Sequence, residues 1–367
     1  STALRPRLSR DQMAAVLPDR GPFLFPAPYS TQGVRLTNAS DGRVNPVGMT
    51  YWPTCNNSTQ RHVLFILLSL DDQLTVVVVD VDSGATVERR VLPFHHTGEG
   101  CYWSLTDPDS LYIPSGTDLV RYSVAQGGTR AVVRAPSEIR QPHSSADGEV
   151  HSFTLDGGAA VFYRGEIRRY PSHAGYDECQ IDKSGRWLLI KEGEGDNRII
   201  DLTTDRDWTI RNAEGAVGHS DMGWGYMIGE DDYAALPGGF RLWHFGSGGP
   251  IRGDLQYHMH GWNPMPRYVS HSNARNQSAP QVVLVSSAFD GDLPRANELV
   301  LAPLDGSLRC LTLCPNLTDL SASGGGELYW RHPRANLSPD GRWACWTANY
   351  GSDRLDAFLV QIPEVGW

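Results

Sequence analysis

The chain has no run approaching the ~18 consecutive apolar residues of a membrane-crossing helix. Its best, Val63–Leu70, has the length of a strand. It also has no block of Lys and Arg. With 32 basic against 42 acidic residues the net charge is −10, the wrong sign for a partner made of phosphates, so nucleic acid is excluded. No C-x-x-C pair occurs, which argues against a zinc ribbon. No G-x-S-x-G elbow occurs, which argues against a serine peptidase. The S-x-D-x-G-x-x-W boxes of sialidases are missing, and Ser338–Trp343 is one residue too tight to be one. Amphipathic helices are scarce; only Ser9–Leu17 has helical spacing. The residues Ser1–Arg5 carry no apolar signal core, as expected of a cleaved precursor or a cloned end.

What is present is β-type sequence. Glycine (38), Pro (24), Asp and Ser punctuate short runs such as His62–Leu68, Leu74–Val79, Thr86–Leu92, Leu119–Val124, Arg130–Arg134, Trp187–Lys191 and Arg198–Leu202. Many short strands at regular spacing predict a sandwich, a barrel or a propeller. Self-similarity decides among them. One four-strand unit runs Glu178–Asp182, Arg186–Lys191, Arg198–Leu202 and Trp208–Arg211, with a Lys183-Ser184-Gly185 turn after its first strand. Starts of the same kind stand near residues 45, 96, 143, 173, 219, 271 and 332. Their spacing fits a four-stranded blade of roughly 40–50 residues with insertions. The last repeat supplies only three strands, and Gly33–Asn38 stands where an outermost strand would be needed to close the fold. The sequence therefore predicts an all-β, seven-bladed β-propeller in one domain, 1–367. Residues 1–32 are expected to form an N-terminal extension packed on it, with the next strand completing the last blade.

Histidines recur at six of the seven starts: His96, His143, His173, His219, His271 and His332. Propeller geometry would gather them at one mouth of the channel, although each could equally bond a neighbouring blade. Glu99, Asp177, Asp221, Asn273 and Asn336 follow within a few residues. Imidazoles in a cluster can bind a transition metal or exchange protons near neutral pH, whereas the carboxylates would suit calcium. Gln256-Tyr257-His258-Met259-His260 adds a further possible ligand set. The expected metal set is His219, His271 and His332, with a divalent cation and no organic cofactor.

Aromatic residues near the same loops, among them Tyr51, Trp52, Tyr102, Trp103, Trp224, Tyr226, Trp262, Tyr268 and Trp330, could stack on sugar rings or fill the core between blades. Arg140, Arg241, Arg267, Arg275, Arg331 and Arg334 sit among them and could hold a carboxylate through paired N–H donors. N-x-[S/T] acceptors at Asn38, Asn56, Asn57, Asn276, Asn316 and Asn336, together with six cysteines, predict a secreted, extracellular glycoprotein. Those cysteines (Cys55, Cys101, Cys179, Cys310, Cys314, Cys345) allow about 15 complete pairings, which the sequence leaves open.

The repeat count, the histidines at blade starts, the Asp-Gly turns and the closing segment Arg354-Leu355-Asp356-Ala357-Phe358 make the chain resemble secreted seven-bladed polysaccharide lyases. The resemblance is to the oligogalacturonate, ulvan and rhamnose–glucuronate lyase group. Gln256, His258 and His260 look similar to the metal-binding Gln/His cluster of the first. His173, Tyr226 and Arg241 follow the His, Tyr, Arg order of the second. The resemblance implies β-elimination at a uronic acid, possibly at rhamnose–glucuronate ends of a plant glycan. The expected partner is an acidic oligo- or polysaccharide, with no nucleic acid, no membrane and a monomeric chain. The expected catalytic residues are His173 or His219 as base, Tyr226 as acid or base, and Arg241 and Arg331 on the carboxylate. Around them His96, His143, Arg275, Arg334 and Trp330 are expected to bind substrate. The rival expectations are a non-catalytic, lectin-like glycan-binding propeller and a glycoside hydrolase on the same fold.

Overall fold

The computed structural model describes residues 5–45, 52–56, 63–95, 99–173, 175–193, 195–230, 240–255, 268–271, 277–278, 281–288, 290, 297–307 and 309–364, with the side chains of 240, 252–255 and 268–271 left aside. Its strands form seven antiparallel sheets, and the fold is a seven-bladed β-propeller, as the repeats predict. The chain divides into two compact units. One comprises Ser1–His96, Met259–Asn273 and Ala279–Trp367, and the other Thr97–His258 with Ala274–Ser278.

The second unit contains four blades, each starting from a short inner strand: Tyr102–Trp103, Arg140–Ser144, Cys179–Ile181 and Ser220–Met222. Within it Arg140–Ser144 packs against Cys179–Ile181, and Cys179–Ile181 against Ser220–Met222. The unit read from the sequence is the third of these blades, with strands Cys179–Ile181, Trp187–Glu192, Asp196–Asp201 and Arg206–Ile210. Its middle strands are buried on both faces, which is why Trp187–Ile190 reads as a continuous apolar run rather than an alternating one.

The first unit holds three blades. Their inner strands are Val44–Asn45, Tyr268–His271 and Asn336–Leu337. The blade of Asn336–Leu337 is completed by the N-terminal strand Gln32–Arg35, which pairs with Asp356–Gln361 through Gly33↔Val360 and Val34↔Leu359. A further strand, Gly21–Leu24, adds to its outside and makes the sheet five-stranded. Ser9 caps the seven-residue helix Arg10–Val16 through a reciprocal bond with Gln12, the Ser-x-x-Gln box that marks a helix start.

The turn between inner and second strands has a clear local cause. In Ser338–Trp343 the Ser338 hydroxyl donates to Asp340 Oδ1 at 2.7 Å, and the Trp343 N–H donates back to Ser338 Oγ at 3.0 Å. Gly341 takes φ +70, a region costly for other residues. Ser145–Val150 repeats the arrangement, with Gly148 at φ +74 and the Val150 N–H on Ser145 Oγ at 3.0 Å. This is why the Asp-Gly turns were a reliable register mark.

Candidate functional site

Two histidines expected to act on substrate stand before the inner strands of successive blades of the four-blade unit, His173 six residues before and His219 one. His173 precedes the inner strand Cys179–Ile181, and its Nδ1 lies 2.7 Å from Glu192 Oε2. His219 precedes Ser220–Met222, and its Nδ1 lies 3.3 Å from Glu230 Oε2. Each glutamate is the last residue of its blade's second strand, and each is buried. An ionised carboxylate can only accept, so each Nδ1 is the donor in this contact. The rings differ in exposure: the His173 side chain is 75% exposed and that of His219 25%. Each imidazole thus meets the glutamate that ends its blade's second strand, one in the open and one half-sunk.

The same end of these blades buries more charge. Lys191 pairs with Glu178 through their side chains, 9% and 4% exposed. The Gln180 amide donates to Glu178 Oε1 at 3.0 Å and to the Ser220 carbonyl at 3.3 Å, so it links one blade to the next. Asp177, beside Glu178, has its carboxyl raised by desolvation and by that neighbouring charge. At the other end of the blade, Lys183 is buried in the turn after Cys179–Ile181. Its N–H donates to the Gly223 carbonyl at 2.8 Å and its carbonyl accepts from Ala146 at 2.9 Å, so the turn is clasped by both neighbouring blades. Burial pushes the Lys183 amine down, against the opposing pull of Asp221 and Asp182.

These lysines were missed by reasoning from motifs, yet the sequence held a plain signal. Of the 32 basic residues in the chain only Lys183 and Lys191 are lysine, and both are buried in one blade. A chain that uses arginine everywhere else has kept the amine at two positions where it cannot serve solubility. The Lys183 amine, whose charge burial disfavours, can take a proton, which a guanidinium cannot.

The remaining expected residues are scattered. His143 lies in its inner strand, 5% exposed, with its imidazole pushed well down by burial and then by Lys183 and Lys191, so it stays neutral. Tyr226 starts the strand that Glu230 ends, four residues or about 13 Å of strand from the His219 end. The structure therefore does not bring Tyr226 and His219 together as an acid–base pair. Burial and the Asp221 charge raise its hydroxyl, and its ring packs on Gly223. Arg241 is on the third strand of its blade, 3% exposed, with its guanidinium against Gly215 rather than at an inner strand.

In the three-blade unit Arg331 ends the short helix Leu328–Arg331 and donates to the carbonyls of Gly326 and Leu320 at 2.8 and 2.7 Å. Arg334 lies 4.2 Å from the centroids of both the Tyr329 and the half-buried Trp330 rings, and His332 between these arginines is 4% exposed. His96, Arg275, Gln256, His258, His260 and Asn273 lie outside the described residues, as does the side chain of His271. Trp52, Tyr102 and Trp103 are core residues at 0–3% exposure, which removes them as sugar platforms.

Among the described residues no three His, Cys, Asp or Glu side chains form a group able to hold a metal ion. His219, one member of the expected set, instead has its Nδ1 on Glu230. Two of the expected glycan acceptors are also spoken for. Asn316 is fully buried with its amide on the Ser287 carbonyl, and Asn336, 3% exposed, donates to the Trp52 carbonyl at 2.8 Å. Their sequons are matched by chance, since an amide consumed in the core cannot carry a sugar in the folded chain.

No family model matches the chain, and no curated protein matches it in sequence. Solved structures do. The oligogalacturonate lyase from Vibrio parahaemolyticus superposes with a TM-score of 0.66 at 9% identity, over 94% of this chain and 96% of that one. An oligogalacturonate lyase in complex with manganese gives 0.64 at 13%, over the same shares of the two chains. A chain of the mitotic checkpoint complex gives 0.50 at 15%, over 88% and 93%. At these identities the likeness is one of fold, and the third neighbour shows how different the uses of that fold are.

Proposed function

We propose that the protein is an extracellular lyase that cleaves a uronic-acid-containing oligo- or polysaccharide by β-elimination. The observation that carries this reading is the repeated His–Glu pair, His173–Glu192 and His219–Glu230, on consecutive blades. The similarity in fold to two oligogalacturonate lyases supports it. Elimination needs a base for the proton at C5 of the uronate and an acid for the departing O4. His219, half-sunk and fixed by Glu230, takes the C5 proton on Nε2. The exposed His173, when it carries protons on both ring nitrogens, gives the Nε2 proton to O4 and brings positive charge toward the substrate carboxylate. The C5–H and C4–O bonds break, and a C4–C5 double bond forms. The class of uronate, galacturonate or a rhamnose–glucuronate end, is part of the proposal and is read out by the same assay.

The test is incubation with oligogalacturonates and with rhamnose–glucuronate glycans while following the ultraviolet absorbance of the unsaturated product, with and without chelator. His219→Ala should lower turnover by roughly 10²-fold or more, and Glu230→Gln should lower it less, with folding unchanged in both. Incorporation of solvent oxygen at the broken bond, with no unsaturated sugar, would make the protein a glycoside hydrolase. Binding without cleavage would make it a lectin-like propeller.

A further inference from the structure

Six thiols among 367 residues need a chemical account, and one pair of them meets. Cys55 lies in the two-residue strand Cys55–Asn56, which pairs with Val63–Leu70 through Cys55↔Ile66. Cys345 lies in Trp343–Ala348, opposite Asn336 on one side and Leu359 on the other. The two strands touch, and the Cys55 thiol lies within hydrogen-bond reach of the Cys345 thiol. A second feature fixes the approach independently of sulfur. The Asn336 side chain, cross-strand neighbour of Cys345, accepts from the Thr54 N–H at 3.1 Å and donates to the Trp52 carbonyl at 2.8 Å. The backbone leading into Cys55 is therefore clamped beside Cys345. Both cysteines are buried, 0% and 5% exposed, in one apolar cluster with Val44, Leu64, Ile66 and Leu359.

We infer that Cys55 and Cys345 form a disulfide that staples the first blade to the last when the chain folds in an oxidising environment. Formation takes two exchange steps with a small-molecule disulfide of the oxidised-glutathione class. The Cys55 thiolate attacks one sulfur, forming a mixed disulfide and releasing one small thiol. The Cys345 thiolate then attacks the Cys55 sulfur and releases the second. The protein loses two electrons and two thiol protons, and the small disulfide gains them as two thiols. Because both sulfurs are buried, the exchange belongs to folding, before the cluster closes over them. The bridge would link positions almost a whole chain apart in sequence, the case in which restriction of the unfolded state is greatest. By contrast, Cys179 lies among Tyr176, Ser152 and Ala160, and Cys314 near Glu298.

The experiment refolds the full chain with and without oxidised glutathione, alkylates it under denaturing conditions without reductant, and maps the peptides. The expected result is a crosslinked peptide pair containing Cys55 and Cys345, with mass lower by about 2 Da than the two thiols. The thermal midpoint of the oxidised protein should stand roughly 5 °C above the reduced one. In Cys345→Ala, and separately in Cys55→Ala, that difference should vanish. Full alkylation of both cysteines after oxidative refolding, or crosslinks only between other cysteines, overturns the inference. The peptide map is made on the unaltered chain, so a variant that fails to fold does not shield it.

Discussion

The two units of this propeller place different side chains beside their inner strands. In the four-blade unit ionisable side chains are buried there: Glu178 and Lys191 pair within one blade, Lys183 lies in the turn after its inner strand, and Asp182 and Asp221 are buried carboxylates, while the Gln180 amide links one blade to the next through the Ser220 carbonyl. In the three-blade unit three contacts between blades are neutral. Asn336 clamps Trp52 and Thr54, Ser286 bonds the Pro333 carbonyl at 3.1 Å, and Cys55 faces Cys345. Arginines of the N-terminal arm meet carboxylates in this unit, as in Arg35–Asp356 at 2.7 Å and Arg5–Glu298 at 2.6 Å, and Arg354 shares Asp356 at 2.8 Å. A neutral amide does the work of holding blades at small desolvation cost, whereas a buried ion pair gains little net stability for the same task. Buried charge retained where an amide would do is a sign of chemistry rather than of holding. That is why the reacting groups are assigned to the four-blade unit.

The largest expected effect tests this directly. Glu178→Ala leaves the Lys191 ammonium buried without its carboxylate and should cost about 3–5 kcal/mol in urea unfolding. Replacing both, as Glu178→Leu with Lys191→Met, should restore most of that stability, because the pair is weak support once desolvation is counted. Turnover should not return with it. A double variant that is stable and fully active would show the pair to be ordinary packing, and the contrast between the units would lose its meaning.

The next effect is a difference in response to acid. Burial pushes His143 well down, and His151, between the rings of Tyr112 and Phe162, is pushed down to about 4. The unfolded chain titrates these histidines near 6.5, so below that pH it binds protons that the folded state refuses. Stability is therefore complete above pH 6.5 and falls as pH drops toward 4, by on the order of 3 kcal/mol for His151. His244, also lowered by burial, adds in the same direction. All three belong to the four-blade unit. Its amides should lose exchange protection first as pH falls from 6.5, and His151→Phe should flatten the decline. Equal loss in both units would remove the asymmetry.

The blade count and its register were legible because they depend on local chemistry. Ser-x-Asp-Gly turns close on their own side chains, and a three-stranded last repeat calls for a strand from the N-terminus. His173 and His219 were legible as residues near blade starts, but their glutamates were not. Each lies 11 to 19 residues away at the end of another strand, where only the pairing register brings them together. Depth was the least legible property. Arg241, Trp52 and Asn336 have side chains that would be equally sensible at a surface. It is strand order and pleat direction that bury them. The scarcity of lysine was in plain view, and only the knowledge that both copies are buried gives it weight.

The smallest effect concerns the neutral clamp, and it sharpens the comparison from the other side. Asn336→Ala should cost about 1–3 kcal/mol, the penalty for leaving the Thr54 N–H and the Trp52 carbonyl without the side chain that answers them. Asn336→Asp separates the two halves of that clamp. A carboxylate still accepts from the Thr54 N–H but sets an oxygen against the Trp52 carbonyl, so it should be at least as damaging as alanine. The same pair of changes at Asn197 provides the control in the four-blade unit, since its side chain accepts from the Val217 N–H at 2.6 Å and donates to the Val217 carbonyl at 3.1 Å. If amides only hold blades, both asparagines should lower the urea midpoint to a similar degree, and turnover at temperatures well below unfolding should be unchanged in each. A loss of turnover in Asn336→Ala without loss of stability would move part of the chemistry into the three-blade unit. The division between a unit that reacts and a unit that holds would then fail.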